Sequence, residues 1–554
     1  MLEGCSPFPA EFAERYVREG IWRHETIAQA IASVALERPE SIAIRDSTRS
    51  VTYSELLAEA DSLAAMLASN GIARNDRVVI QLPNCVEFAT MTIACLEIGA
   101  IPVMALPAFR KAELEYLVSF SDAKAIAVAP EHRGFDHAAL ARDLKARLPV
   151  LKSILSTARA DGCVWMREPR RSSRSIGSST RDPFEVALFL LSGGTTGMPK
   201  LIPRTHADFL YNARESASAT GLTSESRILI ALPAAHNFPL ACPGLLGALL
   251  IGARTFFSQS TKAADLASII EREEITHLPC VPALAIALLD LPQSSRARLT
   301  SLRVITVGGQ RLQEATARAL KSAFPHLFVQ QVFGMGEGLL CYTRLDEHEE
   351  VSCRTQGRPL SPADEIRIVD SDGTDVATGE VGELWCRGPY TIRGYFRAPE
   401  RNREAFTADG FYRTGDVVRL DPSGNLVVEG RIKDLINRGG EKISAEEIEA
   451  HLIAHPAVSA AGVVAMPDAI LGEKACAYLS LRDGATFALA AMREFLAARG
   501  VAQFKWPERI EIVAEFPLTN VGKIRKSELR RYIAEKLAAE RDSLGSKPAA
   551  PQGK

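Results

Sequence analysis

Nine residues, Ser192-Gly-Gly-Thr-Thr-Gly-Met-Pro-Lys200, have the types and spacing of an anion cradle. Glycine has no Cβ and enters left-handed backbone regions without steric cost, so successive N–H groups can converge on one point. Threonine hydroxyls add donors and Lys200 adds a positive charge, a combination suited to a triphosphate. It differs from the common P-loop, in which the lysine directly follows the last glycine and a helix begins there. Here Met198 and Pro199 intervene, and a proline disfavours helix at the residue before it. The apolar run Val186 to Leu191 ahead of the loop reads as a buried strand. The cradle therefore stands at a strand end, where a rigid sheet can aim it.

That strand belongs to a longer rhythm. Val78 to Leu82 reads as a strand, Glu87 to Ile98 as a helix and Ile101 to Leu106 as a strand; Arg303 to Val307, a helix around Leu312 to Ala323 and Phe328 to Val332 repeat the order. Alternation of this kind predicts an α/β protein with mostly parallel sheets covered by helices. From Glu365 to Arg387 short alternating strands with glycine turns predict a small β subdomain, over about 350–430. Past Gly430-Arg-Ile-Lys-Asp434 lie elements enough for a domain of about a hundred residues. The expected organisation is an N-terminal domain over 1–433, a small α+β C-terminal domain over 434–538, and a frayed polar tail over 539–554. The Arg- and Ser-rich stretch 157–182 reads as an exposed connector.

Bulk properties narrow the function classes. The chain has 554 residues, too many for one ordinary domain. Its net charge of −2 and pI near 6.6 give no footprint for nucleic acid or an anionic membrane. No apolar run approaches the ~18 residues of a membrane span, and the acidic start is not that of a signal peptide. Ten cysteines without a CxxC pair suit reduced thiols. A cytoplasmic protein, monomeric or homodimeric, is expected. His451 and His455 have metal-like spacing, but no glutamate pattern accompanies them and they read as helix-end surface residues.

Four further motifs follow the loop in order: Gly334-Met-Gly-Glu337, Tyr412-Arg-Thr-Gly-Asp416, Gly430-Arg-Ile-Lys-Asp434 and Thr519-Asn-Val-Gly-Lys523. Together the five resemble the adenylate-forming superfamily of acyl-CoA synthetases, amino-acid-activating domains and luciferases, over nearly the whole chain. The segments AHNFPLACPG (235–244), QVFGMGEGLLCYTRLD (331–346) and INRGGEKISAEEIE (436–449) resemble more narrowly the stand-alone aryl-acid ligases of siderophore biosynthesis. Those of the pyochelin type, which activate salicylate, are the most similar; 2,3-dihydroxybenzoate ligases come next. Such enzymes load the acid on an aryl carrier protein. An aryl-CoA ligase of aromatic degradation is the alternative, because coenzyme A presents the same pantetheine arm.

The resemblance implies a role for each matching residue. Ser192, Gly193, Gly194, Thr195, Thr196, Gly197 and Lys200 would hold the ATP phosphates, with Thr195 close to the reacting groups. Glu337 would ligate Mg²⁺, which favours one or two carboxylates plus phosphate oxygens. Asp416 and Arg431 would hold the ribose or phosphate; alternatively the two pair with each other. Gly309, Val332, Phe333 and Gly334 would lie against the adenylate. Lys523 would bridge the acid carboxylate and the α-phosphate, and Asp434 would be the hinge about which the mobile C-terminal domain turns. Asn437 to Lys442 would then face the channel of the phosphopantetheine thiol.

The acid pocket would be built from His236, Asn237, Phe238, Cys242, Gly308, Gly309, Val332, Gly336 and Leu340. Asn237 offers an amide to a phenolic ortho-hydroxyl and the others an apolar slot for a flat ring. His236 matches a histidine that orients near the carboxylate. Dihydroxybenzoate enzymes typically carry Ser where Cys242 stands and Val where Leu340 stands, so a 3-hydroxyl would lose a partner and some room. Salicylate is the expected acid. Gly336 stands where the family usually has Ala, which predicts a broader acid range.

Overall fold

The computed structural model of the chain describes residues 2–168, 181–192, 199–438, 441–468, 470–519 and 522–545; for Lys442 and 541–545 it describes the backbone alone. The chain divides into two compact units. The first comprises Met1–Arg367, Trp385–Thr414 and Asp421–Leu426, the second Ile368–Leu384, Gly415–Leu420 and Val427–Lys554.

Two large sheets organise the first unit. One has seven strands in the order Leu201–Thr205, Val186–Leu191, Ile101–Met104, Arg77–Gln81, Ala123–Val128, Ser153–Ser156 and Val164–Trp165. Its pairings are parallel except the first, where Val186–Leu191 meets Leu201–Thr205 antiparallel. Val78, Val79 and Ile80 are fully buried, as a strand with both faces covered requires. The other sheet runs from Arg358–Pro359 through Gly338–Tyr342, Phe328–Met335, Val304–Gly308, His277–Cys280, Arg227–Ile230, Arg254–Phe257 and Ile42–Arg45 to Ser50–Thr52. The expected α/β architecture is present, and the two βαβ units read from sequence appear with boundaries shifted by a residue or two at several ends.

The helix Val86–Ile98 is buried at every residue from Val86 to Glu97 and stops at Gly99, whose φ of 71° is left-handed. A helix apolar on all sides belongs inside a protein. Of its two acidic residues, Glu87 and Glu97, the first is paired with Arg49 at 2.9 Å and Arg167 at 2.8 Å.

Strands Glu365–Val369, Gly382–Arg387, Tyr412–Leu420 and Leu426–Arg431 make a four-stranded sheet in that order, where the glycine-punctuated segment predicts one. In the second unit, Gly472–Leu481 pairs antiparallel with Val458–Asp468 and parallel with Arg509–Ile512, and Leu435–Arg438 and Glu441–Ser444 extend the sheet. Ile448, Leu452, Met492 and Leu496 from two helices pack on it. The last helix, Lys526–Gly545, continues past residue 538. Glu540 is held there by two hydrogen bonds from Arg509, at 2.9 and 2.6 Å, so the stretch expected to fray from 539 begins as helix; its remainder, 546–554, lies outside the described residues. His451 accepts from Arg499 Nε at 3.0 Å, and His455 stacks on Phe487 at 4.1 Å; both are half-buried, held by partners that spacing does not reveal.

Candidate active site

The phosphate-loop residues Gly193 to Met198, and with them Thr195, Thr196 and Gly197, lie outside the described residues. Its two ends are pinned. Ser192 N donates to the Lys200 carbonyl at 3.0 Å, and Lys200 N donates to Ser192 Oγ at 3.0 Å. The antiparallel register, Leu191 opposite Leu201, continues from that clasp. The chain leaves the loop as a strand, as Pro199 requires, where a P-loop would enter a helix.

Lys200 and Glu337 meet at one tyrosine. Lys200 Nζ lies 5.1 Å from the centre of the Tyr395 ring, and Tyr395 donates its hydroxyl to Glu337 Oε1 at 2.8 Å. Tyr412 hydroxyl is 3.0 Å from that of Tyr395. Burial pushes the Lys200 ammonium down in pKa, with Arg401 adding to the effect and Glu337 opposing it. Burial and the Glu337 carboxylate hold the Tyr395 phenol protonated far above its usual range. A buried carboxylate next to a cation and two hydroxyls fits a hard divalent ion shared with phosphate oxygens. Among the described residues no three His, Cys, Asp or Glu side chains cluster as a metal cage, so an ion here would depend on the phosphates for most of its ligands. Tyr395 escaped sequence reasoning because no spacing marks it, and Tyr412, though inside a motif, carries no charge to draw attention.

Glu337 sits at the turn between Phe328–Met335 and Gly338–Tyr342, whose antiparallel ladder slips between Gly334 and Met335. Phe333 lies opposite Cys341 and Gly334 opposite Leu340 in that ladder. The fully buried Arg204 donates to the Gly336 carbonyl at 3.1 Å and to Asp208 at 2.7 Å. A Cβ on Gly336 would meet Ile202 Cδ1 at 3.0 Å and open space otherwise.

Phe238, Cys242, Val332 and Leu340 do come together, in one apolar cluster with Tyr342, Leu360 and Tyr390. Gly308 abuts the same cluster: a Cβ there would stand 2.5 Å from Val332 Cγ1 and 3.3 Å from Phe238 Cζ. Gly309 follows in a left-handed turn, φ 85°. The short helix Asn237–Ala241 supplies the polar element. His236 caps it, Nδ1 accepting from Phe238 N at 3.3 Å, which leaves the ring proton of the neutral tautomer on Nε2. Asn237 is 9% exposed, and its Oδ1 is buried without a hydrogen-bond partner among the described residues. Burial pushes the Cys242 thiol up to about 12, with the Asn212 and Asn237 amides acting against the shift.

In the second unit, Arg431 Nε donates to Asp416 Oδ1 at 2.6 Å, so the two residues assigned to the ribose are paired with each other in this structure. Lys523 stands in a closed turn, its N donating to Thr519 Oγ1 at 3.0 Å. Burial lowers its ammonium to a pKa of about 8, Arg431 and Lys433 adding to the effect while Asp416 and Glu446 oppose it. Asp434 is ion-paired with Arg530, which also donates to the Lys433 carbonyl at 3.1 Å. Lys442 lies opposite Asn437 in the Leu435–Arg438 ladder.

Lys200 and a buried carboxylate meeting at Tyr395, and an apolar slot with one polar wall, suit an enzyme that joins a nucleotide to an organic acid. The profile of the AMP-binding enzyme family matches residues 31–396, and that of the AMP-binding enzyme C-terminal domain matches 447–523. The chain belongs to this family and is an ATP-dependent acid-activating ligase. It is 46% identical to 2,3-dihydroxybenzoate-AMP ligase of Bacillus subtilis (97% of this chain, 99% of the relative). Identity is 47% to pyochelin synthase PchD of Pseudomonas aeruginosa (97% and 98%). It is 43% to the salicyl-AMP ligase / salicyl-S-ArCP synthetase of Mycobacterium tuberculosis (96% and 95%). Among the described residues no helix is long and apolar enough to cross a membrane.

Proposed function

We propose that the chain activates salicylate as salicyl-AMP and passes the acyl group to the phosphopantetheine thiol of an aryl carrier protein. The observation that carries this reading is the unpartnered Asn237 Oδ1, buried beside the Phe238, Cys242, Val332 and Leu340 slot. A buried acceptor without a partner costs ~1–3 kcal/mol, which a phenolic hydroxyl ortho to a carboxylate recovers on binding. Cys242 and Leu340 favour salicylate over a 3-hydroxylated acid. The similar proteins are named for both acids, so the assignment rests on these side chains.

In the first step a carboxylate oxygen attacks the α-phosphorus and pyrophosphate leaves. Both reactants are anions, so the protein's part is to position them and supply positive potential. Ser192, Lys200 and the loop between them hold the phosphates; Glu337 holds Mg²⁺, which supplies charge neutralisation there when bound. Asp416, with Arg431, takes the ribose hydroxyls, and Lys523 bridges carboxylate and α-phosphate. His236 orients near the carboxylate. In the second step a thiolate attacks the acyl carbon and AMP leaves; Asp434 is the pivot that withdraws Lys523, and Lys442 lines the thiol's approach.

Acid-dependent ATP–pyrophosphate exchange tests this. Salicylate is expected to give the highest kcat/KM, with 2,3-dihydroxybenzoate and benzoate about tenfold or more below it. No exchange with any aryl acid would overturn the reading. Transfer from salicyl-AMP to a pantetheinylated carrier in preference to free coenzyme A is the expected second step; preference for coenzyme A would place the enzyme among aryl-CoA ligases.

A further inference from the structure

We propose that Asn212, on a helix that no sequence motif marks, is a positioning residue that sets the acid specificity by fixing Cys242 and the chain beneath it. This inference rests on the aryl-acid reading of the pocket.

The helix His206–Ala219 begins with a reciprocal cap: Thr205 Oγ1 accepts from Asp208 N at 3.1 Å, and Asp208 Oδ2 accepts from Thr205 N at 2.7 Å. Arg204, Asp208, Asn212 and Ser216 recur every fourth residue, and all four are fully buried. Positions four apart lie above one another on a helix, so Asp208, Asn212 and Ser216 form a polar stripe, which Arg204, at the end of the preceding strand, joins through its ion pair with Asp208 at 2.7 Å. Its members grip the acid pocket from behind. Arg204 holds the Gly336 carbonyl. Asn212 Nδ2 donates to the Ala241 carbonyl at 2.8 Å and to Cys242 Sγ at 3.7 Å.

Ala241 and Cys242 end the short helix that carries Asn237 and Phe238. One amide therefore fixes both the backbone and the thiol at the wall that the ring meets. The other end of the amide, Oδ1, is buried without a hydrogen-bond partner among the described residues. An apolar side chain would avoid the unpartnered oxygen but would take this donor from the buried Ala241 carbonyl. What an apolar side chain could not do is hold the thiol as an acceptor, which constrains where its own S–H points.

Steady-state exchange kinetics on Asn212→Ala test the idea. The expected result is a rise of about tenfold in KM for salicylate, with KM for ATP within about twofold and a loss of discrimination between salicylate and benzoate. Because Asn212 acts through the thiol, Cys242→Ala in the same chain should add little to the effect, although residues acting independently would add. If Asn212→Ala does not fold by circular dichroism, Asn212→Ser carries the same comparison, since its hydroxyl cannot reach both partners. An unchanged salicylate KM, parallel rises for acid and ATP, or additive effects with Cys242→Ala would each overturn the inference while leaving the aryl-acid reading intact. Absence of exchange with every aryl acid in the unsubstituted chain would overturn both.

Discussion

Lys523 has its pKa drawn down to about 8 by burial and by Arg431 and Lys433. The bridging role proposed for it requires the ammonium form, because charge builds on two anions at once. The charged fraction falls as pH rises through 8. For the free enzyme, kcat/KM of the first half-reaction should therefore decline above about pH 8. Arg431→Gln removes a repelling charge and should move that falling limb to higher pH, whatever it does to the rate. A limb that stays in place would separate it from Lys523. At this scale the motifs singled out Lys200 and Glu337, which the structure brings to one tyrosine. The sequence was silent on Tyr395, whose hydroxyl reaches Glu337 across 58 positions of chain.

Among elements, the end of the strand Val304–Gly308 constrains the slot closely. Gly308→Ala would bring a methyl 2.5 Å from Val332 Cγ1 and 3.1 Å from Val332 O. Overpacking of this kind costs ~1–3 kcal/mol. Gly308→Ala should lower the melting temperature and raise KM for the acid together, and Val332→Ala in the same chain should recover much of both. Gly336→Ala differs, since only the far end of Ile202 stands close; the substitution is sterically mild and makes the broader acid range expected for Gly336 a matter of direct comparison. The strands and helices that carry these residues were legible because burial imposes periodicity: Val186–Leu191 has the same limits in the structure as in the sequence. The polar stripe Arg204 to Ser216 was not, because a four-residue spacing of polar side chains reads as a solvated face until burial is known.

For the whole molecule, two half-reactions are served by a chain of two compact units, with Lys200, Glu337 and the slot in the first and Lys523 in the second. A lysine needed in only one step should be separable from the other. Lys523→Ala is expected to abolish salicylate-dependent exchange while largely sparing thioester formation from supplied salicyl-AMP. Equal loss of both would contradict a site reassembled between steps. The contact division does not fall at one point near residue 434, since Ile368–Leu384 and Gly415–Leu420 group with the second unit.

The sequence by itself determined the α/β class and the order of motifs, because those depend on local patterns: alternating burial, glycines that free backbone amides, and charges at motif positions; the chemistry of joining an acid to a nucleotide came from the family resemblance that those motifs carry. Tertiary structure alone decided the acid pocket's finer arrangement. Asn237 Oδ1 without a partner, Gly308 pressed against Val332, and Asn212 bound to the Ala241 carbonyl and Cys242 are relations between distant segments. Their energies come from desolvation and close packing, which exist only once those segments meet.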